Sequence, residues 1–431
     1  MAETIFALAT PPGRSGVAVI RVSGPHAFAA AEALGVGRPR ERLAALRRLR
    51  HPLDGRPLDD ALVLLFQGPR SFTGEDVVEL HLHGGPAVCR SVAGALACQP
   101  GLREAEAGEF TRRALMNGKL DLAQAEGLGD LLAAETAAQA QRALALADGA
   151  LSQRAAAWRA TLVRALAMVE ACIDFADEDL PAGVMAEACT LLREMATAFE
   201  MELAGSAAAE RLREGFEVAL VGAPNVGKST LLNALAGRDA ALTSEIAGTT
   251  RDVIEVRMDL GGLPVSLIDM AGLRATDDPV ESLGVDRARR RAAAADLRVF
   301  LVEAAGSGEL GVEQQAGDVV VLAKGDLRGE ADAVSGLTGA GVPRLLGRIA
   351  AELGRRASTG SLVSRERQRA AVARAVAAVN AAEARLRDVE PEVDLAAADV
   401  LEALRALDFL LGKVDVESVL DVVFRSFCIG K

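Results

Sequence analysis

Short apolar runs broken by turn residues mark the first part of the chain. GVAVIRVSG, DALVLLF and DVVELHLHGG alternate apolar and polar positions or run apolar without a break, between Gly, Pro and Asp, which is the texture of strands. With a few helical stretches among them, residues 1–118 read as an α+β domain. From Leu120 the period changes. The stretch LDLAQAEGLGDLLAAETAAQAQRALALADGALSQRAAAWRATLVRALAMVEACIDF is almost all good helix formers with apolar residues three and four apart, predicting two long packed helices. That texture stops near Arg211, strand–loop–helix alternation runs from Phe216 to about Arg355, and helical spacing resumes from Val363. The expected fold is multidomain, α/β plus all-α: an N-terminal α+β domain at 1–118, a helical domain in two pieces at 119–212 and 361–431, and an α/β domain at 213–360 inserted between them. No fixed-period repeat is visible.

Composition fits that outline. The 431 residues exceed one ordinary core, and 50% hydrophobic, 25% charged and 3% aromatic residues imply cores of Ala, Leu and Val. The uncharged apolar stretches fall short of the roughly 20 residues of a membrane span, and MAETIFALATPPGR opens with an acid rather than a basic leader. A cytoplasmic, helix-rich protein without a membrane segment is expected. Five cysteines without a C-x-x-C pair (Cys89, Cys98, Cys172, Cys189, Cys428) argue against disulfides or zinc, and most are expected as buried filler. A formal charge of −12 argues against broad nucleic-acid binding. The one basic run, Arg38 to Arg50, is a candidate RNA contact or else a solvated helix face.

Chemistry enters with FEVALVGAPNVGKST. An apolar strand, the loop Gly222-Ala-Pro-Asn225-Val226-Gly227-Lys228-Ser229-Thr230 and a helical start fit G-x-x-x-x-G-K-[ST] in its required context. Glycines let the backbone wrap phosphates, Lys228 supplies charge, and Ser229 is a Mg²⁺ ligand. Three further stretches point to a guanine nucleotide. Ala247-Gly248-Thr249-Thr250-Arg251-Asp252 offers Thr250 to Mg²⁺ and a γ-phosphate, with a solvated turn as the alternative. Asp269-Met270-Ala271-Gly272 follows the strand VSLID, placing Asp269 behind Mg²⁺ and the Gly272 N–H near the γ-phosphate. Lys324-Gly-Asp326 follows DVVVLA, where a carboxylate accepts both donors of the guanine edge. Singly these motifs are weak; their order and strand placement make a set.

In series, GAPNVGKS, AGTTRD, DMAG and KGD resemble a translation-factor-related GTPase. With TPPGRSGVAVIRVSG, SFTGEDVVELHLHGGP, GEFTRRALMNGKLDLAQAEGLGDLL, DMAGLRATDDPVESLG, IDFADED and the terminal FCIGK, nearly the whole chain resembles the MnmE (TrmE) family of tRNA modification GTPases. The resemblance implies a folate-binding and dimerisation domain, a helical domain interrupted by a Ras-like P-loop GTPase domain, and a homodimer. It further implies work with a flavin-dependent partner, MnmG (GidA), to install an aminomethyl-type (carboxymethylaminomethyl) group on C5 of the wobble uridine of certain tRNAs. The one-carbon donor would be 5-formyl- or 5,10-methylene-tetrahydrofolate.

The resemblance also implies roles. Leu273 stands where a Ras-like enzyme has a water-orienting glutamine, and Glu281 matches the family glutamate that orients water indirectly; Arg251 and Asp252 join it as catalytic candidates. K⁺ would sit beside the phosphates in place of an arginine finger, held by Asn225 and by main-chain oxygens of the loop Ser244-Glu245-Ile246-Ala247-Gly248-Thr249, with Ser244, Ile246 and Thr249 as ligands. Arg21, Glu79, Lys119 and the C-terminal Lys431 match the family's reduced-folate contacts, a carboxylate suiting pterin donors and cations the folate glutamate; surface ion pairs are the alternative. Cys428 lacks a prenylation context and is either core filler or a thiol carried to the folate pocket, where Lys431 would favour thiolate. His81 and His83 share a strand face without a third metal ligand nearby.

The chain departs from the family pattern at the base. Asn-Lys-x-Asp becomes Ala323-Lys324-Gly-Asp326, losing an amide whose hydrogen bond is worth ~0.5–1.5 kcal/mol. The following base-contact loop reads Ser335-Gly336-Leu337, and the segments 303–318 and 326–335 are short, so peripheral helices should be small or missing. Two other functions stay open: a regulatory or ribosome-assembly GTPase switch, and a one-carbon transferase with a degenerate GTPase domain.

Overall fold

A computed structural model describes residues 3–175, 183–237, 255–269, 289–303, 312–328, 333–357 and 360–414, together with 424, 427 and 430. The chain divides into two compact units, Met1–Gly129 with Asp408–Lys431, and Asp130–Leu407.

The first unit is built on a six-stranded sheet of order β3-β4-β5-β2-β1-β6. Its strands are β1 (Thr4–Leu8), β2 (Val17–Ser23), β3 (Ala45–Arg50), β4 (Pro57–Phe66), β5 (Val77–His83) and β6 (Leu102–Glu104). All described neighbours run antiparallel except β1 and β6. Alternation decides the faces. Ile20 and Val22 of β2 and Val78, Leu80 and Leu82 of β5 are buried against helices α1 (Ala27–Ala33) and α2 (Pro86–Ala97). Each such Leu, Ile or Val contributes about 1.5–3 kcal/mol by leaving water. The intervening positions, Arg21 and Glu79 among them, are thereby committed to the opposite face. There Ile5 and Ala7 pack with Ala105 and with Phe110 of α3 (Glu109–Met116).

The arginine run departs from its helical alternative: its second half is the edge strand β3. Leu49 is fully buried in the core, and Arg48 makes a paired fork to Asp60 at 2.8 Å for each bond. Arg47 donates to the Val36 and Leu46 carbonyls and Arg50 to the Gly55 carbonyl. Leu49 needs the sheet to bury it, and arginines on an edge strand discourage pairing with another chain.

The stretch from Leu120 holds three helices rather than two: α4 (Leu122–Ala133), α5 (Ala137–Ala147) and α6 (Ala150–Asp174). Thr136 and Gln139 form a capping box that starts α5 afresh, and Gly149, at φ 93°, takes the left-handed turn that separates α5 from α6. Helix formers throughout conceal both breaks from a periodicity reading.

In the second unit α6 packs on α7 (Val184–Glu214), which packs on α11 (Glu366–Leu386). Trp158 and Phe199 meet edge-to-face at 5.1 Å, and Arg369 pairs with Glu210 at 2.7 Å. Helix α7 stops at Gly215, φ 102°, and β7 (Phe216–Gly222) starts the second sheet, of order β12-β11-β10-β7-β9-β8. The others are β8 (Glu255–Leu260), β9 (Leu263–Asp269), β10 (Leu297–Val302), β11 (Val319–Ala323) and β12 (Ala333–Val334). All pairs are parallel except β8 with β9. Both faces are covered, as a parallel sheet requires, by α8 (Lys228–Ala236) and α10 (Val342–Ala357) over one core and by Ala292 and Ala295 over the other. Among the described residues, 312–318 hold no helix and the segment after β11 holds only the four-residue α9 (Gly325–Arg328). A last helix, α12, spans Val393–Leu410.

The cysteines correct the expectation of buried filler. Among the described four only Cys189 is buried, Cys89 and Cys172 are half-buried, and Cys98 is exposed. Burial pushes the Cys189 and Cys172 thiols up.

Candidate functional site

Strand β7 delivers the phosphate loop. A side chain on Gly222 would come within 2.7 Å of the Leu301 carbonyl and 2.9 Å of Val226, so only glycine lets β10 lie this close. Asn225 (φ 63°) and Gly227 (φ 109°) adopt left-handed backbone that curls the loop back to α8. Lys228 is buried, and its ammonium donates to the Gly222 and Ala223 carbonyls at 2.8 and 3.0 Å. Burial pushes its pKa down, with the Asp269 charge opposing. Ser229 Oγ donates to Asp269 Oδ2 at 2.6 Å. Asp269 is 1% exposed, and its Oδ1 is buried with no hydrogen-bond partner among the described residues.

That orphaned oxygen tests the fit of a metal. A carboxylate buried without a partner is costly, and a hydroxyl beside it completes the hard oxygen pair that Mg²⁺ prefers. An ammonium resting on two loop carbonyls at a helix N-terminus suits a polyphosphate. The residues fit Mg²⁺ and a nucleotide phosphate chain.

The base end lies at the carboxyl edge of the same sheet. A cavity of about 340 Å³ is lined by Asn225, Thr230, Ala323, Asp326, Ser335 and Leu337, with Val226, Gly227, Lys324 and Gly336 also on its wall. Residues more than 100 positions apart are thereby brought together, at the place where open α/β sheets bind ligands. Ser335 is 1% exposed; its Oγ accepts from the Thr338 N–H at 3.2 Å. Gly336 sits on α8 so closely that a Cβ would lie 2.6 Å from the Leu231 nitrogen. Asp326 is exposed.

Ser244 to Asp252, Met270, Ala271, Gly272, Glu281, Cys428 and Lys431 lie outside the described residues.

The first unit presents a second constellation. Arg21 and Glu79 are register partners on β2 and β5, and Arg21 Nε and Nη2 donate to Glu79 Oε1 at 3.0 and 2.9 Å. The guanidinium lies 5.5 Å from the Phe72 ring centre and 5.7 Å from that of Phe110. Gly430, at φ 100°, brings its carbonyl to 3.5 Å from Arg21 Nη1, and a Cβ on it would be 2.1 Å from the Leu8 carbonyl. Lys119 is not in that pair: its ammonium donates to the Pro69 carbonyl at 2.9 Å, in the loop that also carries Phe72. His81 Nε2 is 3.6 Å from Glu79 Oε2, whereas His83 Nδ1 bonds Asp59 at 2.7 Å.

Two participants were missed in the sequence. Phe72 was legible as the aromatic of SFTGED; Glu303, which meets Lys324 Nζ at 2.6 Å, follows an unremarked strand end and gave no signal.

The chain matches the family described as "MnmE helical domain" over residues 122–428 and that described as "GTP-binding protein TrmE N-terminus" over residues 4–119. Proteins named tRNA modification GTPase MnmE are similar along the full length of both chains, at 57% identity in Cereibacter sphaeroides and 53% in Roseobacter denitrificans. Among solved structures, the FeoB G domain of Methanococcus jannaschii is 24% identical over 32% of this chain and 98% of that one, with a TM-score of 0.25, a likeness too slight to carry weight. Two family matches that between them span 4–119 and 122–428, and relatives above half identity from end to end, make the conclusion direct: the chain belongs to the MnmE (TrmE) family of tRNA modification GTPases.

Proposed function

We propose that this chain is a potassium-stimulated GTP hydrolase that modifies tRNA. With a flavin-dependent MnmG partner it would add a carboxymethylaminomethyl-type group to C5 of the wobble uridine, drawing the carbon from a reduced folate and acting as a cytoplasmic homodimer. The observation that carries the hydrolase is the convergence of Lys228, Ser229 and Asp269 at a phosphate loop whose Asn225, Val226 and Gly227 line the same cavity as Asp326. Full-length similarity to proteins named tRNA modification GTPase supports the rest.

Lys228 exchanges its two loop carbonyls for phosphate oxygens, and its lowered pKa is restored by the charge it meets. Ser229 and Thr250 would hold Mg²⁺ with Asp269 behind, supplying charge neutralisation on the β- and γ-phosphates. Asn225, Ser244, Ile246 and Thr249 would hold K⁺, a role given to an arginine elsewhere. Glu281 would orient the attacking water, with Arg251 and Asp252 as further catalytic residues. Asp326 accepts from the guanine edge, and the Ser335–Leu337 loop closes the base site. Arg21, Glu79, Lys119 and Lys431 would take the folate, and Cys428 would serve there as a thiol.

Steady-state hydrolysis in K⁺ and in Na⁺ tests the first half. Faster turnover in K⁺ is expected; equal rates contradict the cation loop, and no turnover in either returns the GTPase domain to a degenerate appendage. Nucleoside analysis of tRNA from a deletion strain tests the second half, where unchanged wobble uridines would leave only a binding switch.

A further inference from the structure

Position 323 is a methyl group, 2% exposed, where the family pattern has an amide that braces the base loop. The next residue, Lys324, is nevertheless held at φ 59°, a left-handed conformation unfavourable for a residue with a Cβ. Two contacts secure it among the described residues. The Leu327 N–H donates to the Lys324 carbonyl at 3.0 Å, closing the turn, and Lys324 Nζ donates to Glu303 Oε1 at 2.6 Å. Glu303 directly follows β10 (Leu297–Val302), whose Val302 is the register partner of Leu322 on β11, so the carboxylate stands beside the end of the strand that launches the loop.

Two positions beyond Lys324 lies Asp326, exposed, on the cavity wall, and without a hydrogen-bond or ion-pair partner among the described residues. An ammonium this close in sequence competes with the two donors of a guanine-class base for that carboxylate. We infer that Glu303 is a positioning residue for base recognition: it keeps the Lys324 ammonium off Asp326 and supports the loop that lost its amide at Ala323. The inference rests on the guanine-nucleotide reading. Because both side chains are half exposed, 40% for Lys324 and 51% for Glu303, water screens the pair and a modest effect is expected.

The test is a double-mutant cycle on the full chain, read by GDP affinity and by GTP hydrolysis. Glu303→Gln should raise the GDP Kd about three- to fivefold, the scale of an exposed pair, and raise KM for GTP in parallel while kcat stays within about twofold. In the Lys324→Met background, where no ammonium is left to stray, the same change should move Kd less than about twofold. Equal losses in both backgrounds, or a fall in kcat with Kd unchanged, would overturn the positioning role. Wild-type protein that binds no GDP would instead remove the guanine reading, and this inference with it.

Discussion

Ser229 Oγ donates to Asp269 Oδ2 at 2.6 Å across 40 positions of sequence, while the other oxygen of the same carboxylate is buried with no partner among the described residues. The first turn of α8 and the end of β9 thus share one polar contact and leave one carboxylate oxygen, a hard ligand of the kind Mg²⁺ takes. Asp269→Asn keeps the shape and removes the charge. Hydrolysis should fall by roughly two orders of magnitude, the scale of one lost transition-state contact, and the Mg²⁺ concentration for half-maximal rate should rise; an unchanged Mg²⁺ dependence would show that Asp269 serves packing alone.

Gly336 lies against the α8 backbone, with three backbone atoms of Thr230 and Leu231 within 2.8 Å of where its Cβ would be. Backbone cannot swing aside as a side-chain tip does. Gly336→Ala should destabilise the unit by about 1–3 kcal/mol and weaken nucleotide binding. Calorimetry with and without GDP measures both, and a variant with native melting and affinity would show that the loop relaxes freely.

Arg298 and Asp318 form a buried pair at 2.8 Å, with side chains 2% and 0% exposed. The guanidinium also donates to the Ala293 and Ala295 carbonyls and to Gln315. Asp318→Ala leaves that charge buried and unmatched, at a cost of about 3–5 kcal/mol. Urea denaturation should show a large drop in midpoint; a shift below about 1 kcal/mol would mean that water enters and replaces the partner.

Glu210 carries a pH signature. Hydrogen bonds from Arg369 at 2.7 and 3.2 Å hold its carboxyl below the ordinary value near 4.5, with burial opposing. A carboxylate with a lowered folded-state pKa binds fewer protons folded than unfolded, so its contribution is complete above about 4.5 and is lost as pH falls through the lowered value. The stability difference between wild type and Glu210→Gln should therefore be largest at neutral pH and shrink in acid. Parallel stability curves at every pH would refute the linkage.

Gly430 offers a test of the folate reading. Its φ of 100° and its 2.1 Å approach to the Leu8 carbonyl exclude a side chain, so Gly430→Val should dislodge the carbonyl that faces Arg21. Reduced-folate affinity should drop about tenfold or more, given an overpacking cost near 1.4 kcal/mol, while GTP hydrolysis stays within about twofold. Intact folate binding in this variant would separate the C-terminal segment from that pocket.

Local pattern was enough for much of this protein. The phosphate loop was legible because its contacts lie within eight residues, Gly222 to Ser229, and backbone conformation over so short a span follows residue type. Arg21 and Glu79 were named through the family resemblance alone, and the alternation of β2 and β5, with buried neighbours at i±1, accounts for their place off the core face. Two local signals were masked, and tertiary structure decided the rest. The helical stretch from Leu120 broke into three because Thr136 and Gly149 cap and turn it, where alanine-rich flanks mask both signals. Arg21 met Glu79, 58 positions away, and Lys324 met Glu303, 21 positions away, because strand register sets which side chains stand opposite. Register follows from packing whole faces against a core, an energy shared by many residues, and no single period along the chain records it.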